Sequence, residues 1–325
     1  MDPAALDRFA ADWTKPGEAG LDLGETARIG LAVSGGPDST ALLLLAAAHA
    51  PGRVAVATVD HGLRAEAAGE AVAVAALCAR LGVPHATLRL TMEAGSAIQA
   101  RARAARYAAL AAWARAEGLV ALATAHHLDD QAETLAMRLN RGAGARGLAG
   151  MRAVATVPGD PALPLLRPLL GWRRAELAAV VRACGLDAAD DPSNRDPRFE
   201  RVRVRQGLAE ADWIDPAGWA MSAQHLDQAD AALDWAAQRL FEAGWQGDGA
   251  GGTLAVADGL PQALALRLLE RVLTALDPAA APRGAELARW HAALAAGQVA
   301  TLAGLRGEGR GAHWHFVRVP PHRTG

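Results

Sequence analysis

The chain has 325 residues, with 33 basic and 35 acidic side chains, so its formal net charge of −2 does not by itself indicate a nucleic-acid partner. Hydrophobic residues make up 51% of the chain, enough for a sizeable core, and the length is typical of about two domains. Cys78 and Cys184 are far apart and form no Cys-x-x-Cys pair, which argues against a zinc knuckle or an iron–sulfur site. The N-terminus lacks a signal pattern and the apolar runs are too short to span a bilayer, so we expect a cytoplasmic protein with no membrane partner.

The first strong pattern is an apolar run over residues 29–33, followed by small residues and an apolar helical stretch over 39–48. This order predicts a strand, a tight turn and a helix. Gly35 and Gly36 have no Cβ, so an anion can approach the backbone closely. The N–H groups that open a helix lack intrahelical partners and lie at the positive end of its dipole. The turn is therefore predicted to bind phosphate.

The alternation of strands and helices continues along the chain, after a short amphipathic helix over residues 3–13. We predict strands at 54–59, 87–90 and 119–123, and helices at 65–81 and 96–117. Continuous apolar strands that alternate with helices are typical of a parallel sheet, so we predict a doubly wound α/β domain. Ligands of such sheets bind beyond the carboxyl ends of the strands. Polar clusters follow the first, second and fourth strands, and we expect them to converge there.

The cluster after the fourth strand is rich in ionisable side chains: His126, His127, Asp129, Asp130 and Glu133. On a helix, Asp130 and Glu133 share a face at a spacing of three residues. Acids in a first turn stabilise the helix dipole, but five ionisable groups exceed what capping needs. Carboxylates beside a phosphate site can hold Mg²⁺ or attract a substrate ammonium group. We therefore predict a functional role for this cluster.

Two arginine-rich segments come next. Residues 141–152 combine three arginines with four glycines, a composition typical of a flexible basic loop that covers a site or grips a phosphate backbone, or of a solvated linker. A helix is predicted over 173–183, and a polar loop over 190–196. On a helix, the arginines that follow would spread around it, and some must meet carboxylates, phosphate or water. These are Arg198, Arg201, Arg203 and Arg205.

A change of composition near residues 208–217 predicts a second domain. We assign residues 1–210 to a catalytic domain and 211–325 to a smaller, mainly helical domain. Helices are predicted at 217–243, 261–276 and 283–295, with a glycine-rich loop at 247–252. Residues 299–302 and 313–319 are predicted to form a strand pair around 307–309. Most tryptophans of this part are expected in the core. They are Trp213, Trp219, Trp235, Trp245 and Trp290.

The stretch Ser34-Gly35-Gly36-Pro37-Asp38-Ser39 lacks the Gly-Lys of the P-loop and the Gly-x-Gly-x-x-Gly of dinucleotide-binding proteins. It resembles the pyrophosphate loop of the N-type ATP pyrophosphatase (PP-loop) superfamily. Two further motifs, Asp60-His61-Gly62-Leu63-Arg64 and the segment from His126 to Thr134, resemble the tRNA(Ile)-lysidine synthetase family more specifically. The resemblance extends over about residues 28 to 205. The C-terminal part is shorter than in the longer members, so we expect it to lack their acceptor-stem module.

The resemblance implies an ATP-dependent ligase with ATP and Mg²⁺ as cofactors. It would join free L-lysine to C2 of the wobble cytidine in a CAU-anticodon tRNA(Ile), through an adenylated cytidine, and change the tRNA from methionine to isoleucine identity. The smaller domain would then bind tRNA. The alternative is another PP-loop tRNA-modifying enzyme such as a tRNA thiolase, although that chemistry needs nearby cysteines. A non-catalytic nucleotide- or tRNA-binding protein is a third interpretation, and a homodimer stays open.

The resemblance also implies roles for individual residues. Catalytic candidates are Asp38, Arg106, His126, Asp130 and Glu133. ATP-binding candidates are Ser34, Gly35, Gly36, Pro37, Asp38, Ser39, Thr58, Asp60, His61 and Arg106, with Asp38 also expected to hold Mg²⁺. Substrate-binding candidates are Asp129, Asp130, Arg141, Arg146, Asn194, Arg201 and Arg205. The lysine amine, with an ordinary pKa of about 10.4, must lose a proton, and we expect Asp130, or else Glu133, to accept it.

Overall fold

The computed structural model describes residues 2–18, 24, 26–60, 65–91, 98–186 and 198–319. The chain forms two compact units, Met1–Asp227 and Gln228–Gly325, which are described separately below. Among the described residues, no helix combines the length and the apolar character needed to cross a membrane.

The first unit is built on a six-stranded sheet with the order β3-β2-β1-β4-β6-β5. Its strands are β1 (Ile29–Ala32), β2 (Val54–Asp60), β3 (His85–Arg89), β4 (Ala121–Ala123), β5 (Val154–Val157) and β6 (Asp160–Leu166). Its helices are α1 (Pro3–Glu18), α2 (Pro37–His49), α3 (Ala65–Leu81), α4 (Ile98–Ala116), α5 (Leu128–Asn140), α6 (Ala145–Leu148), α7 (Arg174–Ala183) and α8 (Glu200–Glu210). Helix α9 (Pro216–Gly244) begins in this unit and ends in the second one.

The prediction of a doubly wound α/β domain is confirmed. Strand β1 pairs in parallel with both β2 and β4, and β4 pairs in parallel with β6. Strand β5 is an antiparallel addition at the edge, which the sequence did not predict. The chain runs from β1 to β3 in one direction and then returns to β4 on the other side of β1. The gap between the ends of β1 and β4 is thus the switch point at which such sheets bind ligands.

Two apolar layers cover the two faces of this sheet. One layer contains Phe9 of α1 and the leucines of α2, together with side chains from α3 and α7. Helix α2 is buried from Ser39 to Ala46, as expected of a helix that is apolar on all sides. The other layer contains Tyr107, Leu110 and Trp113 of α4. The switch point therefore has α2 on one face and α4 on the other.

The second unit contains a five-stranded antiparallel sheet with the order β7-β8-β11-β10-β9. Its strands are β7 (Trp245–Asp248), β8 (Gly251–Ala255), β9 (Val299–Leu302), β10 (Leu305–Arg310) and β11 (His313–Arg318), and its further helices are α10 (Gln262–Leu276) and α11 (Gly284–Ala295). The predicted helices are confirmed, and so are the predicted strands over 299–302 and 313–319, which are β9 and β11. These two strands do not pair with each other, because residues 307–309 between them belong to β10, which pairs with both. Gly307 is needed there for packing, since a Cβ would come within 2.9 Å of the Trp290 ring.

The glycine-rich segment 247–252, predicted as a loop, forms the hairpin of β7 and β8. A Cβ at Gly252 would lie 2.5 Å from the Trp245 ring, so this glycine also serves packing. Trp290 is buried as predicted, at 2% exposure. The core prediction is wrong for Trp213 and Trp235, which are 78% and 66% exposed.

Candidate active site

The turn between β1 and α2 is closed by its own hydroxyl groups. The Ser34 N–H donates to Ser39 Oγ at 3.2 Å, and Ser39 Oγ donates to the Gly36 carbonyl at 3.0 Å. Gly35 has a φ of +95°, which is unfavourable for any residue that carries a Cβ. Gly36 precedes Pro37, the first residue of α2. A Cβ at Gly36 would meet only Ser34 Oγ, at 3.8 Å, so the space beside this backbone is open. The geometry suits a bound phosphate at the positive end of α2.

The polar residues at the end of β2 lie beside this turn along the same sheet edge. Thr58 is buried, and its Oγ1 lies 3.0 Å from Nε2 of His85 on β3. Asp60 is the last residue of β2 and is half-buried. His61 and Asn194, two other predicted binding residues, lie outside the described residues.

His127 is the centre of an acidic group between the ends of β1 and β4. Its side chain has 0% exposure, with Nε2 3.4 Å from Asp38 Oδ2 and 3.5 Å from Asp130 Oδ2, and Nδ1 3.5 Å from Asp129 Oδ2. These are charge contacts without hydrogen-bond alignment. Burial opposes a charged imidazole, but Asp129, Asp38 and Asp130 outweigh it and raise the pKa of His127 to about 9. His127 is therefore an imidazolium at neutral pH.

The three carboxylates around His127 differ in what else they bind. Asp129 accepts the Arg174 N–H at the start of α7 at 2.8 Å, and the adjacent His127, with this hydrogen bond, lowers the pKa of Asp129 to about 2. Asp130 accepts the backbone N–H of His127 at 3.1 Å. Asp38 differs from both, because its Oδ1 is buried and has no hydrogen-bond partner among the residues that the structure describes.

The free oxygen of Asp38 fits a magnesium ion. Mg²⁺ uses one or two carboxylates and completes its shell with phosphate oxygens and water. No set of three or more His, Cys, Asp and Glu side chains forms a ready metal cage among the residues that the structure describes. Asp38, which lies beside the phosphate-binding turn, can supply the single carboxylate that Mg²⁺ needs from the protein, without such a cage.

Glu133 lies one turn after this group and is held by two arginines of α8. It is 2% exposed; Arg201 Nε donates to Oε2 and Arg205 Nε donates to Oε1, both at 2.6 Å. Arg201 Nη2 also donates to Asp130 Oδ1 at 2.8 Å. Burial alone would raise the pKa of Glu133, but the two guanidinium groups outweigh it and lower that pKa. The prediction that some arginines of this segment meet carboxylates is confirmed.

His126 precedes His127 and has the opposite environment. Its Nδ1 lies 2.8 Å from Thr124 Oγ1. Burial, together with the positive charges of Arg167, Arg201, Arg103 and Arg106, lowers the pKa of His126 to about 3. The imidazole of His126 is therefore neutral in the pH range in which His127 is charged. The two histidines can differ because His127 has extended backbone, which turns neighbouring side chains to opposite sides.

The predicted basic loop is held in place by α5. Arg138 donates to the Gly147 and Gly150 carbonyls, and Gln131 exchanges two hydrogen bonds of 2.7 Å with the Met151 backbone. Part of the segment forms α6, which carries Arg146 on its exposed side. Arg141 forms an ion pair with Glu200 of α8. The segment is therefore an ordered, basic edge of this unit rather than the flexible loop that its composition predicted.

Sequence reasoning missed the central role of His127 and the presence of Arg103 and Arg167 beside His126. The missed signal was the histidine pair itself, because adjacent residues after a strand face opposite sides. Only the fold shows that one side is acidic and the other basic.

A pyrophosphate loop and a carboxylate group at the switch point of a parallel sheet define the PP-loop class of ATP-binding proteins, and the PP-loop domain family matches residues 9–211. The chain is 56% identical over 321 residues to the tRNA(Ile)-lysidine synthase of Novosphingobium aromaticivorans, which covers 98% of this chain and 95% of that protein. It is 42% identical to the tRNA(Ile)-lysidine synthase of Zymomonas mobilis, over 91% of this chain and 90% of that protein. The chain belongs to the tRNA(Ile)-lysidine synthase family, as its motifs predicted.

A solved structure shows the same fold at a greater distance. The U34-tRNA thiolase NcsA of Methanococcus maripaludis superposes with a TM-score of 0.53 at 16% identity, over 70% of this chain and 80% of that one. This likeness concerns the fold of the PP-loop unit and carries no statement about chemistry.

Proposed function

We propose that this chain ligates L-lysine to C2 of the wobble cytidine of CAU-anticodon tRNA(Ile), with ATP converted to AMP and pyrophosphate. The observation that carries the proposal is the similarity, over nearly the whole of both chains, to relatives that bear the name tRNA(Ile)-lysidine synthase. The site supports it chemically, since one sheet edge combines an open phosphate turn, an unpartnered carboxylate oxygen and a carboxylate suited to a substrate amine.

The phosphate turn and Asp38 would hold ATP and its metal. The first N–H groups of α2 and the hydroxyls of Ser34 and Ser39 would bind the phosphates, while Asp38 Oδ1 would bind Mg²⁺. When bound, ATP supplies the AMP group that activates the cytidine oxygen. The side chains around the turn are fixed in advance, so they stabilise charge on the phosphates without reorganising. Thr58, Asp60 and His61 are proposed to line the rest of this site.

Asp130 is the better candidate to orient the lysine amine and accept its proton. It faces one arginine, Arg201, and keeps a small exposed surface. Both oxygens of Glu133 are engaged by Arg201 and Arg205, so Glu133 is better suited to holding α8 in place. Neutral His126 can donate or accept a hydrogen bond, but its pKa of about 3 makes it a poor proton acceptor at neutral pH.

The remaining roles concern the tRNA. Arg141 and Arg146 on the basic edge, with Asn194, Arg201 and Arg205, are proposed to contact it, because cationic side chains position nucleic acids through their phosphates. Residues 211–325 are proposed to contribute further tRNA contacts. We propose a cytoplasmic location, where tRNA and free lysine are available. Whether the chain forms a homodimer stays open.

The thiolase alternative is not favoured by the cysteines. Cys78 is fully buried, and this burial raises the pKa of its thiol to about 11. A sulfur carrier must be an accessible thiolate near neutral pH. Cys184, the C-cap residue that follows α7, belongs to no Cys-x-x-Cys pair.

The test of the proposed function uses α-labelled ATP and CAU-anticodon tRNA(Ile), with and without lysine. AMP release that requires both tRNA and lysine, with lysidine recovered from the digested tRNA, would support the proposal. AMP release that needs tRNA but not lysine would indicate another nucleophile, such as sulfur. Absence of turnover with this tRNA would refute the assignment of this substrate.

The role of Asp130 is tested by Asp130→Asn, which is expected to slow lysidine formation by about 10²-fold or more, as loss of a general base does. Glu117→Gln is the matched control, because Glu117 is a surface carboxylate paired only loosely with Arg28, at 3.9 Å. An Asp130→Asn rate equal to that of the control would exclude Asp130 as the proton acceptor.

A further inference from the structure

A short turn of the first unit, residues 171–174, contacts the start of α5 through its backbone. The Trp172 carbonyl accepts the Leu128 N–H at 2.9 Å, and the Arg174 N–H donates to Asp129 Oδ2 at 2.8 Å. Leu128 and Asp129 are the first two residues of α5. The turn therefore fixes both the direction in which α5 begins and the orientation of the Asp129 carboxylate.

The first turn of α5 carries most of the acidic group of the candidate site. His127 is the N-cap residue of this helix, and its Nδ1 lies 3.5 Å from Asp129 Oδ2. Asp130, proposed above to accept the proton of the lysine amine, is the next residue along the helix. A shift of the 171–174 turn would therefore move groups that meet the substrate. Misplacing a reacting group by about 1 Å can slow an enzyme by about 10²-fold.

Helix α1 holds this turn through two of its side chains. Arg8 and Asp12 are four residues apart, so they share one face of α1. Asp12 Oδ2 accepts the indole N–H of Trp172 at 2.8 Å. Trp172 is 2% exposed, and a buried indole N–H without an acceptor is costly. This hydrogen bond therefore selects one position for the indole ring and for the turn that carries it.

Arg8 contacts the same turn and the helix that follows it. Its guanidinium carbon lies 4.3 Å from the centre of the Trp172 ring, within the range of cation–π attraction. Its Nη2 donates to the Gly171 carbonyl at 2.7 Å, and its Nη1 forms an ion pair of 2.7 Å with Glu176 of α7. The other carboxylate oxygen of Glu176 accepts the Arg173 N–H at 2.6 Å. A planar guanidinium group can make these contacts at once, because its donors form a rigid fork and its face can stack.

We propose that Arg8 and Asp12 are positioning residues of the active site, which act through the 171–174 turn on the first turn of α5. The contacts form an unbroken series from α1 to Asp129 within one compact unit. Neither residue is proposed to touch a substrate. The proposal deepens the proposed function and rests on it for the reaction that a misplaced α5 would slow.

The first arm of the test measures the contacts themselves and needs neither ATP nor tRNA. Asp12→Leu removes the acceptor of the indole N–H, whereas the amide oxygen of Asp12→Asn can still accept it. Amide hydrogen exchange is followed by NMR with isotope-labelled leucine and arginine. Asp12→Leu should raise the exchange rates of the Leu128 and Arg174 amides about tenfold, because local opening becomes easier. The Leu135 amide, in the middle of α5, should keep its rate.

The second arm measures lysidine formation and separates kcat from KM. Asp12→Leu and Arg8→Gln should lower kcat about tenfold or more with the KM for ATP unchanged, because the reacting groups are misplaced while the ATP-binding turn is intact. Asp12→Asn should keep most of the native rate. Asp7→Leu is the matched control, because Asp7 is an exposed acid on the same helix. Phe9→Leu is a second control, because it weakens the packing of α1 in the core and leaves Arg8 and Asp12 in place.

Three results would overturn the proposal. The first is a folded Asp12→Leu variant that matches Asp7→Leu in both arms. The second is an equal loss of kcat in Phe9→Leu and Asp12→Leu, which would indicate a purely structural role for α1. The third is an Asp12→Asn variant as slow as Asp12→Leu, because the hydrogen bond would then not be the cause. If the native chain forms no lysidine, the proposed function fails, whereas the exchange arm still decides whether α1 positions α5.

Discussion

The adjacent histidines are expected to give the first unit opposite pH dependences on either side of pH 6.5. The pKa of His127 rises from 6.5 to about 9, so its charge contacts stabilise the folded state fully below pH 6.5 and lose this effect as the pH rises through 9. Since a tenfold change in proton affinity corresponds to about 1.4 kcal/mol, the free energy of unfolding should fall by about 3 kcal/mol over that range.

His126 acts in the other direction. Its pKa falls from 6.5 to about 3, so its contribution is complete above pH 6.5 and is lost as the pH falls towards 3. The slope of this loss is at most about 1.4 kcal/mol per pH unit for one proton. The two residues are a matched pair because they are neighbours in sequence, with His127 fully buried and His126 half-buried.

The assay is pulse-labelling hydrogen exchange across a urea series, with each sample equilibrated between pH 5.5 and 9 and every pulse given at one fixed pH. Peptides from α5 report the free energy of unfolding of the first unit separately from the second. His127→Gln should be less stable at pH 6.5 and should lose the alkaline decline, whereas His126→Gln should keep the alkaline decline and lose the acid one. If His127→Gln declined above pH 6.5 as steeply as the wild type, the buried imidazolium would be disproved.

Three further predictions concern packing, a buried ion pair and thiol reactivity. Gly30→Ala should lower the free energy of unfolding of the first unit by about 1–3 kcal/mol in urea, because a Cβ would lie 2.7 Å from both Leu122 and Trp113. Unchanged stability would refute this and show that α4 can shift without cost. Arg267→Met should cost the second unit about 3–5 kcal/mol, because it removes the guanidinium group that forms a buried ion pair with Asp230. A loss below about 1 kcal/mol would contradict this. Cys78 should resist a thiol reagent at pH 8 until urea unfolds the chain, because burial raises its pKa to about 11; rapid labelling of the native protein at Cys78 would refute this.

The fold was predictable where the hydrophobic pattern and the turn residues agreed. The strand, turn and helix from Ile29 to His49 carried both signals, and the structure follows the prediction to within two residues. Strand β6 carried conflicting signals, because Pro161 and Pro164 argue against a strand. Its parallel pairing with β4 involves Leu165 and Leu166, after both prolines, so the missing N–H groups do not interrupt that pairing.

The members of the candidate site were more predictable than their pairing. A run of acidic residues directly after a strand indicates a position at the edge of the sheet, and this inference needs only the neighbouring sequence. The contact between Glu133 and Arg201 joins residues 68 positions apart, and it depends on how α8 returns to α5. Side-chain spacing within one segment holds no information about this return. Because the sequence does not show that α8 returns to α5, Glu133 was predicted as a carboxylate available to substrate. In the fold it lies between the guanidinium groups of Arg201 and Arg205.

The charge balance of the site explains why a polyanion can approach so many acids. Asp38, Asp129, Asp130 and Glu133 carry four negative charges, and His127, Arg201 and Arg205 carry three positive ones, which leaves one net negative charge. Asp38 keeps the one oxygen of this acidic group that is buried without a hydrogen-bond partner among the described residues. A divalent cation that arrives with phosphate would convert this residual charge from a repulsion into an attraction. The imidazolium of His127 is therefore a condition for placing carboxylates beside the pyrophosphate loop, since without it three of them would repel both each other and the incoming phosphates.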